Sequence, residues 1–143
     1  MNDRYLYKAK KTNNGEWVEG FLKHYPTGEW EIARKCDNPP DCDPMWQRVL
    51  ITHEVDPSTI CQCTGVPDRD KKIMYENDVV RASGGVLGVI RFGRYGDGKT
   101  DYGFYVQWEK THPYWRNDIY YWQSELRVVG SFIDNPELLE VEK

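Results

Sequence analysis

Apolar and polar residues alternate with a period of two over most of this chain, the pattern of strands with one buried and one wet face. The stretch "DYGFYVQWEK" shows it best. Tyr102, Phe104, Val106 and Trp108 fall on one side, and Gly103, Tyr105, Gln107 and Glu109 on the other. In "GVLGVIRFGRY", Val86, Ile90 and Phe92 lie together with Leu87 and Val89 opposite. Its closely spaced glycines suggest bends or bulges. "GEWVEGFLKH" sets Trp17, Glu19 and Phe21 against Val18, Gly20 and Leu22. "GEWEIARK" places Trp30 with Ile32, and "RVLITHEVD" places Val49, Ile51, His53 and Val55 together. At least one further strand is expected in "DIYYWQSELRVVGSF".

Turn chemistry separates these runs. "NNG" at 13–15 and "PTG" at 26–28 are hairpin connections. "CDNPPDCDP" at 36–44 reads as loop, because its prolines cannot serve a central strand. "GRYGDGKTD" at 93–101 is a glycine-rich loop. Helix is scarce. "DNPELLE" carries the one good start signal, with Asp134 or Asn135 as cap and Pro136 in the first helical position, so a short C-terminal helical turn is expected.

The expected fold is therefore mainly β: short-strand hairpins leading into a small SH3-like β-barrel and ending in a helical turn. A soft boundary near residue 75 gives an N-terminal hairpin subdomain, 1–75, and a C-terminal barrel, 76–143, with one continuous fold as the alternative. With 143 residues the chain has the size of one ordinary domain or two small ones. Six Trp and ten Tyr supply buried area that the 39% hydrophobic content alone would not.

A net charge of −4 gives no global attraction to nucleic acid or anionic lipid. No apolar run approaches the roughly 20 residues of a membrane span. The opening "MNDRYLYKAKK" has no apolar core of a secretory signal. A cytoplasmic, reducing location is expected, with thiols rather than disulfides.

The four cysteines match the count of a structural zinc site, but Cys61 and Cys63 form C-x-C and Cys36 and Cys42 form C-x5-C, not paired C-x2-C knuckles. Cys61 and Cys63 read as two small buried thiols in a strand pair. His24, His53 and His112 are scattered, and His53 shares an apolar face. "DRD" and "END" read as solvated turns. "GDGKT" lacks the spacing of a phosphate-binding loop. No catalytic set, metal site or cofactor is expected.

The segment "VDPSTICQCTGVPDRDKKIMYENDVV" resembles the signature of the YopX family of phage and prophage proteins. Pro57, Thr59, Gln62, Thr64, Gly65, Asp68, Lys72, Ile73, Tyr75, Glu76, Asp78 and Val79 carry the match. "VVGSFIDNPELLE" is similar to that family's C-terminal segment, and "YLYKAKKTNNGEWVEGFL" to its start. The resemblance implies a β-rich phage-associated protein and no defined activity. Cys63 stands where the family usually has an aromatic residue. Asn77 stands where it has glycine, which predicts a left-handed backbone at Asn77 between Gly65 and Asp78 as structural turn residues.

Two surfaces are expected to make contacts. "KTHPYWRNDIYYWQ" holds more aromatics than one strand face can bury, so Tyr114, Trp115, Tyr120, Tyr121 and Trp122 are candidates for a protein interface, self-association first. "IRFGRYGDGKTDYGFY" interleaves Arg91, Arg94, Tyr95 and Lys99 with further aromatics. That makes nucleic acid the alternative partner, provided the cations share one exposed face.

Overall fold

The computed structural model describes residues 5–35, 50–109 and 116–138. Ten strands dominate: β1 (Tyr7–Lys10), β2 (Trp17–His24), β3 (Trp30–Lys35), β4 (Leu50–Glu54), β5 (Cys61–Pro67), β6 (Ile73–Tyr75), β7 (Asp78–Arg81), β8 (Leu87–Tyr95), β9 (Asp101–Trp108) and β10 (Arg127–Ser131). The single α-helix among the described residues is one turn, α1 (Ile119–Trp122). Pairing is antiparallel throughout, in two sheets. The chain divides into two compact units, Met1–Gln62 and Cys63–Lys143. The division falls inside β5, between Gln62 and Cys63.

The first unit is the ladder β4-β3-β2-β1, with the start of β5 on β1 through Tyr7–Gln62 and Lys8–Cys61. The register puts Ala9 opposite Val18, Leu22 opposite Ile32, and Ile32 opposite His53. Partners in an antiparallel pair share a face, so Ala9, Val18, Ile32 and Val55 form one buried cluster, flanked by Tyr7, Leu22, Trp30 and Ile60. The period-two reading of β2, β3 and β4 is thus realised on the Val18 face. The outermost strands of this ladder also touch. Lys11 bridges Val55, Asp56 N–H donates to Lys10 O at 2.9 Å, and Thr12 N–H donates to Glu54 O at 3.0 Å. Both hairpin turns lie where expected, with Gly15 and Gly28 at φ 74° and 109°.

The second unit is the four-stranded sheet β10-β7-β8-β9 together with the β5–β6 hairpin. Its core joins Val66 and Met74 of that hairpin to Val80, Ile90, Val106, Trp108, Ile119, Trp122 and Leu126. Asp68, almost fully buried, holds the β5–β6 turn. One carboxylate oxygen accepts from Asp70 N–H (2.8 Å) and Lys72 N–H (2.9 Å), and the other accepts from Val128 N–H at the start of β10 (3.0 Å). The ladders of this sheet do not close on themselves among the described residues.

The further strand expected in "DIYYWQSELRVVGSF" is β10, "RVVGS". Ahead of it lies a helical turn the alternation does not foresee, α1, in which Ile119 and Trp122 lie three apart and both enter the core. The glycine-rich stretch is loop at its centre only: β8 runs on to Tyr95 and β9 begins at Asp101, leaving 96–100 as the tip. At the C-terminus Pro136–Leu138 make the short helical turn, here of the 3-10 type. The loop at 36–44, with Cys36 and Cys42, lies outside the described residues.

Candidate functional site

Two exposed aromatic surfaces of the second unit stand out. The first is built by residues 116–122 on the edge of β9. Val106 N–H donates to Asn117 O (2.8 Å), and the Asn117 side-chain amide donates to Val106 O (2.9 Å). The indoles of Trp108 and Trp122 both donate to Arg116 O, at 3.0 and 2.8 Å, and the two rings meet edge-to-face at 5.0 Å. This fixes a short platform whose inward residues, Ile119 and Trp122, are buried. Its outward residues stay wet: Tyr120 is 71% exposed and Tyr121 47%. The Arg116 guanidinium lies 4.2 Å from the Tyr121 ring centre and pairs with Asp118 at 2.6 Å. That bond holds the Asp118 carboxyl below its usual range.

Of the five interface candidates, Tyr120 and Tyr121 are thus surface rings, and Trp122 belongs to the core. Tyr114 and Trp115 lie outside the described residues, as does His112.

The second surface is the outer half of the β8–β9 hairpin. Phe92 pairs with Phe104 and Arg94 with Tyr102, so these four side chains share a face. Phe92 is 45% exposed and Tyr102 67%. Phe92 meets Phe104 at 4.8 Å and Tyr102 at 5.4 Å, edge-to-face in both cases. The opposite face carries Arg91, Tyr105 and Tyr95. Tyr95 and Tyr105 stack at 5.1 Å, either side of the paired glycines Gly93 and Gly103. Burial, with Asp101 and Asp118 nearby, holds the Tyr95 phenol above its usual range.

The four nucleic-acid candidates therefore do not share one face. Arg91 is turned away from Arg94 and is engaged within the fold, donating to Asn77 Oδ1 at 2.8 Å and Gln107 Oε1 at 3.0 Å. Its guanidinium also lies over the Phe132 ring. Arg94 and, at the tip, Lys99 are exposed. Alternation in the sequence could have separated Arg91 from Arg94, since their numbers differ in parity.

The turn residues are structural. Gly65 and Asn77 have φ of 75° and 72°, and Asn77 thus occupies the left-handed region assigned to it. Asp78 is buried and accepts from Tyr75 N–H at 2.8 Å. Cys61 and Cys63 are buried thiols: Cys61 Sγ donates to Thr59 O, and Cys63 Sγ accepts from Gly65 N–H, each at 3.3 Å. Among the described residues no three His, Cys, Asp or Glu are grouped to hold a metal ion. In the first unit, His24 stacks flat on Trp30 at 3.7 Å, and His53 accepts from Arg34 Nε at 3.3 Å. A groove of about 410 Å³ opens between Trp30, Gly28 and Pro57. Its rim mixes Lys10 and Lys11 with Glu29, Glu54 and Asp56, so it selects neither sign of ligand.

The family model described as YopX protein matches residues 5–140 of the chain. No curated protein matches it.

Proposed function

The chain belongs to the YopX family, and on that premise we propose that it is a non-catalytic phage or prophage accessory protein that acts by protein contact and self-associates. The observation that carries this reading is the platform at 116–122. Two tyrosine rings and an arginine are held outward on a segment anchored by two core indoles. The Tyr121 ring, already held against Arg116 and Trp122, loses little entropy on contact, and Tyr and Arg are enriched where interface energy concentrates. Phage context and the want of a defined activity come from the family resemblance. A cytoplasmic location is part of the proposal. It is supported by the finding that no helix among the described residues is long and apolar enough to cross a membrane.

We also infer an SH3-like barrel for the C-terminal part, residues 76–143, with the β5–β6 hairpin packed on it. Support comes from the contacts that bring the β5–β6 turn onto the start of β10: Arg69 N–H to Leu126 O at 2.8 Å, and the Asp68 carboxylate to Val128 N–H.

The test is molar mass by light scattering after size exclusion, at low and high salt. A multimer that survives salt in the wild type and falls to a smaller species in the Tyr120→Ala/Tyr121→Ala double variant is the expected result. A wild type that is monomeric at every salt concentration, or a multimer indifferent to both substitutions, rejects self-association through this platform.

A further inference from the structure

We propose that the outer β8–β9 hairpin is a stacking platform for single-stranded nucleic acid, built from Phe92, Arg94, Tyr102 and Phe104, with Lys99 at its tip. The face is continuous with the core side of the hairpin. Ile90 and Val106 lie inside the core, Phe104 packs on its border, and Phe92 and Tyr102 carry the apolar stripe beyond it into solvent. Edge-to-face contacts with Phe92 on both sides tie the three rings into one unit.

Charge selects the occupant. The paired positions of this face hold one cation, Arg94, and no carboxylate, although the protein as a whole carries −4. Asp101 sits across from Tyr95, on the other face. A net charge of −4 gives a polyanion no general attraction, and this face offers it an exposed guanidinium beside exposed π-systems. Exposed rings beside a cation, with no carboxylate at the paired positions, match a strand of unstacked bases on a phosphate backbone. A duplex, whose bases are already stacked inside, offers the rings nothing. A basic peptide would find no carboxylate to pair with.

The experiment is fluorescence anisotropy of a labelled oligothymidylate of about ten nucleotides, titrated with the full chain at about 50 mM and 200 mM salt. An unlabelled duplex serves as competitor. The expected result is saturable binding that the duplex competes for poorly. Phe92→Ala and Tyr102→Ala should each weaken it roughly five- to a hundredfold. Arg94→Gln should flatten the log–log salt slope by about 0.7, one phosphate contact. Tyr102 is 67% exposed, so its variant keeps the wild-type melting curve and reports binding alone. No saturable binding at the lower salt overturns the proposal. So does binding that none of the three substitutions changes, or that the duplex abolishes at equal concentration. A change in molar mass of the Phe92→Ala variant without any strand binding by the wild type assigns the face to protein contact and likewise overturns it.

Discussion

The side-chain oxygen of Asn77 accepts a hydrogen bond from Arg91 Nη1 at 2.8 Å, and this bond links the β6–β7 turn to the middle of β8. The backbone of Asn77 makes two more links: its N–H donates to Ile90 O, and its carbonyl accepts from Phe132 N–H, each at 2.8 Å. All of this is done at φ 72°. Glycine would adopt that backbone without strain but could not hold Arg91. Asn77→Gly is therefore expected to destabilise by about 1 kcal/mol through the lost hydrogen bond. Asn77→Ala should cost about 1 kcal/mol more, because it loses the bond and keeps a Cβ in the left-handed region. Urea denaturation of the pair checks the order. Equal midpoints would show that the turn relaxes.

Asp68 concentrates three backbone donors on one buried carboxylate. Asp68→Ala strands the N–H groups of Asp70, Lys72 and Val128, and a loss of at least about 3 kcal/mol is expected. Asp68→Asn, which keeps one acceptor oxygen, should lose less. Thermal melts followed by near-ultraviolet dichroism distinguish the two, and an Ala variant as stable as Asn would contradict this account.

Two of the glycines inside strands, Gly20 and Gly88, mark close approach. A Cβ on Gly88 would meet Val106 Cγ1 at 2.5 Å and Trp108 Cε3 at 3.1 Å, in the core of the second unit. A Cβ on Gly20 would run into the backbone oxygen of Ala33, which has no rotamer by which to move aside. Gly20→Ala should thus cost more than Gly88→Ala, with Gly88→Ala at about 1–3 kcal/mol. Chemical denaturation of the two variants gives the ranking.

Tyr120 and Trp122 are two residues apart and should behave oppositely. Trp122→Ala empties a core position and is expected to cost about 3–5 kcal/mol. Tyr120→Ala should leave the melting curve within about 0.5 kcal/mol of wild type. Only the tyrosine variant is then a fair probe of the interface, and a strongly destabilised Tyr120→Ala would mean that the ring is not a surface ring.

His53 makes the first unit sensitive to mild acid. Burial, with Lys11 and Arg34 nearby, holds its imidazole below the ordinary histidine range, and its Nε2 accepts from Arg34 only when neutral. The unfolded chain takes up the proton first, near pH 6.5. Stability is therefore full above that pH and falls as pH drops from about 6.5 to the lower folded value. The unfolding midpoint should decrease between pH 7.5 and 5.5, and His53→Leu should flatten that decrease. A slope unchanged in the variant would place the titration elsewhere.

Much of the fold was legible because alternation directly encodes which side of a strand meets the core. Val18 and Leu22 share a face once a strand is granted, as do Trp30 and Ile32, and the Asn-Gly and Thr-Gly turns set where those strands reverse. The left-handed turn at Asn77 was readable from a single substitution against the YopX pattern, since few residues other than glycine tolerate that backbone. Tyr120 and Tyr121 were also legible as contact candidates, from the sheer density of rings. Trp122 was not separable from them, because adjacent residues of one composition carry no label for inside or outside.

Local sequence by itself determined the strands, their turns, the family and the want of a recognisable catalytic motif, since each depends on residues close along the chain. Only the tertiary structure decided that Ile119 and Trp122 draw a helical turn out of a strand-like run. It also decided that Asp68 reaches Val128, that Arg91 is turned inward onto Asn77, and that Phe92, Arg94, Tyr102 and Phe104 form one face. These relationships join residues far apart in sequence, or depend on register, and register is set by the fit of whole faces rather than by any one stretch.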